Sequence, residues 1–235
     1  MSNLIIEDLK DGILKITLNN PTQQNTLSLQ YINDLIKIFE NAGSNDEIKV
    51  IIISSSGKVF SAGHNLKEIK SHRKDKDQGL QFFKTLINSC SNLMLKIINN
   101  SKPVIAEVNG IATAAGCQLV ASCDLAYASK VSKFATPGVN IGLFCSTPMV
   151  ALSRVVKNKH SMEMLLTGDF IDAEKAKSIG LINNYFSEDE LVNKTREMAV
   201  KIANKSSQTV KIGKKAFYNQ TEMTISDAYK YASEI

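Results

Sequence analysis

The segment Asn109-Gly110-Ile111-Ala112-Thr113-Ala114-Ala115-Gly116-Cys117-Gln118 follows the apolar run Val104–Val108. The run after Pro103 predicts a buried strand. The small residues from Gly110 to Gly116 allow a close turn, and Cys117-Gln118-Leu119-Val120-Ala121 predicts a helix. A strand that feeds a short turn into a helix leaves backbone N–H groups without intrahelical acceptors. Aimed at one point, such donors hold an oxyanion or a polarised carbonyl. The alternative is structural: small residues let the helix lie close on the sheet.

A second segment has the same grammar. Val50-Ile51-Ile52-Ile53-Ser54 predicts a buried strand, and Val59-Phe60-Ser61-Ala62-Gly63-His64-Asn65-Leu66-Lys67-Glu68 carries a glycine turn into a polar, helix-compatible stretch. Two such turns, brought together, would place two N–H groups on one oxygen. Side chains able to do chemistry nearby are His64, Asn140, Cys145 and Ser146. His64 titrates near neutral pH. Cys145, beside Leu143 and Phe144, is expected to be buried, which raises a thiol pKa. Ser146-Thr147-Pro148 predicts a helix start with Ser146 as cap.

These pieces, in this order, resemble the enoyl-CoA hydratase/isomerase (crotonase) superfamily. The resemblance is carried by Phe60 to Glu68, Lys102-Pro103-Val104-Ile105-Ala106, Asn109 to Gln118 and Ser122-Cys123-Asp124-Leu125-Ala126. Thr167-Gly168, Ala173, Ala176 and Gly180-Leu181-Ile182 extend it along nearly the whole chain. The stretch Phe134 to Pro148, with Ala112 to Asp124, is similar to the enoyl-CoA hydratase domain-containing protein 3 group within that superfamily.

The resemblance implies a site for an acyl-CoA thioester. The backbone N–H groups of His64 and Ala115 would hold the thioester oxygen, and one such donor is worth about 10²–10³ in rate. The two glutamates that handle water and its proton in hydratases fall on Gln118 and Gly138. Gln118 donates and accepts hydrogen bonds but cannot exchange a proton near neutral pH, and Gly138 has no side chain. Gln24, Ala62, Gly63, Leu66, Ile69, Gly116 and Asn140 are the expected substrate-binding residues. A basic residue is common at the position of Gln24, so one phosphate contact is expected to be missing. Enoyl-CoA hydratase/isomerase-like chemistry in fatty-acid metabolism, altered or weak, is the reading that follows. A catalytically silent acyl-CoA sensor or scaffold, or an acyl-CoA hydrolase using water held at Gln118 or Asn140, remain as alternatives. No cofactor is expected, coenzyme A being part of the substrate.

The elements that must position this site read as α/β. Alternation in Ile13–Leu18 predicts a half-buried strand that Asn19-Asn20-Pro21 ends. Ser28 caps a helix whose apolar stripe is Leu29, Ile32, Leu35, Ile36 and Phe39, with Gly43 as its stop. Phe82 to Ile98 predicts a core helix, and Ser187-Glu188-Asp189-Glu190 a capping box. The resemblance refines the class to a crotonase-like spiral of ββα units over 1–185. A C-terminal helical trimerisation region follows over 186–235, with a homotrimer or a hexamer (dimer of trimers) as the expected assembly. The residues up to Ile235 predict an amphipathic helix without a stop signal, and by the resemblance family members usually continue further.

Composition sets the outer bounds. The 235 residues are 43% hydrophobic and 22% charged, with 28 Lys and Arg against 23 acids and a net charge of +5. Such a chain can bury a sizeable core. The basic excess comes without a nucleic-acid recognition motif, and a modest positive field suits a phosphate-bearing thioester. The run Lys67–Asp77 mixes both signs and predicts a solvated face. No apolar run approaches the roughly 18 residues of a membrane span. Cys90, Cys117, Cys123 and Cys145 lack metal spacing. With histidine only at 64, 72 and 160, no metal site is expected. Buried reduced thiols imply a reducing compartment. That is the cytoplasm for a bacterial protein, or the mitochondrial matrix for a eukaryotic one whose transit peptide has been removed.

Overall fold

The β-branched run Val50-Ile51-Ile52-Ile53 has no polar face, because both faces of the sheet it joins are covered. A computed structural model describes residues 4–235. β1 (Ile5–Lys10) and β2 (Ile13–Leu18) form a hairpin that leads to α1 (Leu29–Ser44), β3 (Val50–Ser55) and β4 (Val59–Ser61). Then come α2 (Leu66–Ser71), α3 (Leu80–Ile98), β5 (Val104–Val108), β6 (Ile111–Thr113) and α4 (Ala115–Ser122). β7 (Leu125–Ser129), β8 (Lys133–Ala135), α5 (Ser146–Val155), α6 (Asn158–Thr167), β9 (Ile171–Asp172), α7 (Ala173–Ser178) and β10 (Asn184–Phe186) follow. The chain closes with α8 (Glu188–Ala203), α9 (Ser207–Gln220) and α10 (Ile225–Ser233).

Strands come in pairs, β3–β4, β5–β6 and β7–β8. The first strand of each pair enters a six-stranded sheet of order β1-β2-β3-β5-β7-β10. The second enters a four-stranded sheet of order β4-β6-β8-β9. This is the expected spiral of ββα turns. From β2 to β10 the large sheet is parallel, and so are β4, β6 and β8. All three turns at the carboxyl ends of β4, β6 and β8 therefore open on one side, where ligands collect in open parallel sheets.

Packing explains the sequence patterns. Ile51 and Ile53 face the main core with Ile32, Leu35 and Phe39 of α1 and Leu86, Leu93 and Ile97 of α3. Val50 and Ile52 face the other way, against Leu191, Ala199 and Ala203 of α8. At the edge of this layer the half-buried Lys15 ammonium pairs with the buried Glu107 at 2.7 Å, between β2 and β5. The predicted strands and the long core helix are present within a few residues of the expected bounds.

Cap chemistry follows the sequence in part. Ser28 accepts the Tyr31 N–H, and Ser187 with Glu190 forms the capping box. Two expectations fail. Gly43 does not stop α1, which runs on to Ser44. Gly43 is not among the glycines with positive φ, so it lacks the left-handed conformation of a helix stop, and its carbonyl accepts from Ser101. Ser146 is the first residue of α5 rather than its cap. Cys145 holds the cap position, and the Ser146 hydroxyl donates back to the Phe144 carbonyl.

Candidate active site

The first turn is built by residues well upstream of it. Gln24 and Asn25 both lie in the left-handed region, at φ +54° and +50°. That kink points the Gln24 carbonyl at the Ala62 N–H (3.1 Å). The fully buried Asn25 side chain donates to the carbonyls of Ser56 and Val59 at 3.0 and 2.7 Å and accepts from the Asn20 N–H. Ser61 Oγ donates to the Asn25 carbonyl (2.9 Å) and accepts from the Gly63 N–H (3.2 Å). Sequence reasoning missed Asn25 and Ser61. The available signal was a buried-strand context around Ser61 and an asparagine, which tolerates the left-handed conformation better than most residues.

His64 sits opposite Leu27 in a parallel bridge. The Leu27 N–H donates to the Gly63 carbonyl (2.8 Å), and the Asn65 N–H to the Leu27 carbonyl (3.3 Å). This register turns the N–H of His64 away from Leu27, and it has no acceptor among the described residues. The His64 ring is half-buried. Its Nδ1 is sealed from solvent without a partner. Burial pushes its pKa below the ordinary 6.5, opposed in part by contact with the Leu27 backbone. The ring is thus neutral at physiological pH.

The second turn leaves β6. The Ala114 N–H is anchored on the Ala135 carbonyl of β8 (3.0 Å). Ala114 itself has φ +49° and ψ −119°, a region that costs an L-residue about 1–3 kcal/mol. Ala115 then opens α4, so its N–H has no intrahelical acceptor. All eight residues of α4 are buried. The turns touch directly. A Cβ on Gly63, whose φ is +85°, would lie 3.2 Å from Ala115 N, and one on Gly116 would lie 2.3 Å from the Ser61 carbonyl oxygen. The steric reading of the small residues therefore holds: close packing is what brings the turns together.

Gln118 lies one turn into α4, on the same side as Ala115. It is buried, and Cys90 Sγ of α3 lies 3.9 Å from its Oε1. Gly138 is in the turn of 3-10 helix Pro137–Ile141 after β8. A Cβ there would meet the Leu143 carbonyl oxygen at 2.7 Å and Cys145 Sγ at 2.9 Å. Backbone and thiol thus fill the space at which a side chain would start. Burial pushes the Cys145 thiol up, and Cys117 and Cys90 to about 12 each. None is poised as a nucleophile.

Other expected binding residues spread outward. Leu66 is exposed at the start of α2, and Ile69 is half-buried against the core. Ala62 is half-buried and Gln24 exposed. Asn140 is exposed, with its amide Nδ2 3.0 Å from the place of a Cβ on Gly168. Among the described residues no three His, Cys, Asp or Glu side chains are grouped to hold a metal ion.

Residues 8–234 match the enoyl-CoA hydratase/isomerase family. The chain belongs to this family. Among its relatives is the enoyl-CoA hydratase domain-containing protein 3, mitochondrial, of Homo sapiens. The two are 49% identical over 225 residues, covering 95% of this chain and 72% of the human protein. The Xenopus laevis protein of that name is 47% identical over 232 residues, covering 99% of this chain and 77% of the relative. The human protein's crystal structure superposes with a TM-score of 0.93 at 46% identity, covering 98% of this chain and 89% of that one. An enoyl-CoA hydratase structure from Mycobacterium smegmatis gives 0.93 at 41% identity, covering 98% and 88%. Within the superfamily the chain groups with the domain-containing protein 3 relatives.

Proposed function

We propose that the site binds an acyl-CoA thioester and polarises its carbonyl with the N–H groups of His64 and Ala115. The observation that carries this reading is the contact of the two turns at Gly63 and Ala115 N, each turn ending on a backbone N–H without an acceptor. Both donors are preorganised, since the Asn25–Ser61 network and the Ala114–Ala135 bond hold them before any ligand arrives. Ala62, Gly63 and Gly116 form the walls of this cradle, and Leu66 and Ile69 border the acyl chain. Gln24 meets the coenzyme through an uncharged side chain.

The chemistry is formally that of an enoyl-CoA hydratase/isomerase in fatty-acid metabolism, reduced in power. Gln118 orients a ligand or water without taking its proton, and position 138 supplies nothing. A silent acyl-CoA sensor or scaffold is the second reading, favoured by the filled space at Gly138. Hydrolysis with water at Asn140 has less support, because that amide lies over Gly168. No cofactor is required beyond the coenzyme A of the substrate.

Assembly as a homotrimer, or a hexamer of two trimers, is supported by exposed apolar side chains at Ile141, Leu143, Phe144 and Val150 and on α9 and α10 at Phe217, Ile225 and Tyr229. The mitochondrial names of the relatives support the matrix as the compartment of a eukaryotic member. The test is to follow thioester and double-bond absorbance with crotonyl-CoA, alongside calorimetric binding of the same ligand. Slow turnover lost in Gln118→Ala supports the enzyme. Binding without turnover selects the sensor, and absence of binding rejects the assignment.

A further inference from the structure

Cys90 lies on the buried stripe of α3, between Leu86 and Leu93, where an aliphatic residue would serve the core as well. It faces the polar end of Gln118, with Sγ 3.9 Å from Oε1, and both side chains are buried. The amide has two ends. Nε2 has no partner among the described residues and is not sealed from solvent, whereas Oε1 has the thiol.

We propose that Cys90 is a positioning residue, whose S–H donates to Gln118 Oε1 and holds the amide with Nε2–H2 facing the acyl site. Position 118 is thereby a fixed hydrogen-bond donor toward the ligand. This rests on the reading that the site takes an acyl thioester, and adds what decides the polarity of the buried Gln118 amide. Three features support it. A thiol is the smallest donor that keeps the apolar packing of α3. With its pKa pushed to about 12, Cys90 keeps its proton across the physiological range, so it presents a donor to Oε1 rather than a thiolate to Nε2. Replacing it with an aliphatic residue would leave a buried carbonyl oxygen unpaired and remove the preference for one amide orientation.

The test is a double-mutant cycle read by calorimetric binding of crotonyl-CoA, with thermal melts as a control on folding. Cys90→Ala is expected to weaken binding about 3- to 10-fold, the range of one modest hydrogen bond. Cys90→Ser, which keeps a donor, restores it. In a Gln118→Met background, which lacks the amide, Cys90→Ala has no further effect. A merely structural cysteine would weaken binding equally in both backgrounds, and serine would fail as alanine does; either result overturns the proposal. Absence of crotonyl-CoA binding by the unaltered protein is a different failure, since it removes the thioester reading and the positioning role with it.

Discussion

Gly63 and Ala115 meet across the site: a Cβ on Gly63 would lie 3.2 Å from the Ala115 nitrogen and 2.9 Å from Ala114 Cβ. Gly63→Ala therefore meets both a clash and a φ of +85°. It is expected to cost about 1–3 kcal/mol of stability by strain and overpacking, and to separate the two turns. Thermal unfolding checks the first effect. Calorimetry with crotonyl-CoA checks the second, with affinity expected to fall at least tenfold if both donors share the ligand oxygen.

Gly138→Glu is not expected to install an acid. The new Cβ would collide with the Leu143 carbonyl and the Cys145 thiol, so the loop must move before the carboxylate finds a place. A loss of about 1–3 kcal/mol is expected, with no gain in crotonyl-CoA hydration. A rate that rises in the stable variant would show that the site accepts the missing group.

His64 makes stability depend on pH with a definite sign. Its folded pKa lies below the ordinary 6.5 because burial disfavours the imidazolium. Below about pH 6.5 the unfolded chain takes up a proton that the folded chain resists, so stability falls as pH drops through that range. Above it the contribution is constant. Denaturant unfolding between pH 7.5 and 5.5 should show a shallower loss in His64→Gln than in the unaltered protein. Parallel curves would mean that the ring protonates freely in the fold.

Lys214 ties α9 to the base of α4. Its Nζ donates to Asp124 Oδ2 (2.7 Å) and to the carbonyls of Ile97 and Lys102, while Tyr218 donates to Asp124 Oδ1 (2.9 Å). Burial nonetheless pulls the lysine pKa below its ordinary value, so desolvation outweighs the pair. Lys214→Met leaves the Asp124 carboxylate with its Tyr218 and Val104 N–H donors but without its cationic partner, and is expected to cost about 3 kcal/mol. Lys214→Met with Asp124→Asn should recover part of that loss in the same denaturant titration.

Much of the fold was legible because period and caps are local. The alternation of Ile13–Leu18, the stripe of α1 behind Ser28 and the Ser187–Glu190 box each specify an element within one or two turns of chain. Gly43 and Ser146 misled for a shared reason. Glycine stops a helix where it takes a positive φ, and Gly43 does not, because the chain continues helically through it to Ser44. A serine caps only when the chain turns at that residue, and here it turns at Cys145. At the site, the turn residues were visible as small and polar types. Asn25 and Ser61 were not, since their role is a bond between segments 36 residues apart.

By itself the sequence determined the α/β class and the absence of carboxylates at Gln118 and Gly138, and its motifs carried the resemblance that implied the family and the spiral of paired strands. These follow from residue identity and spacing, which do not depend on where the chain goes next. Tertiary structure alone decided that the turns at Gly63 and Ala115 touch, that backbone and Cys145 fill the space beside Gly138, and that a thiol from α3 faces the Gln118 amide. Each of these is a contact between segments distant in sequence. Only packing of the two sheets and α4 brings such segments within van der Waals range.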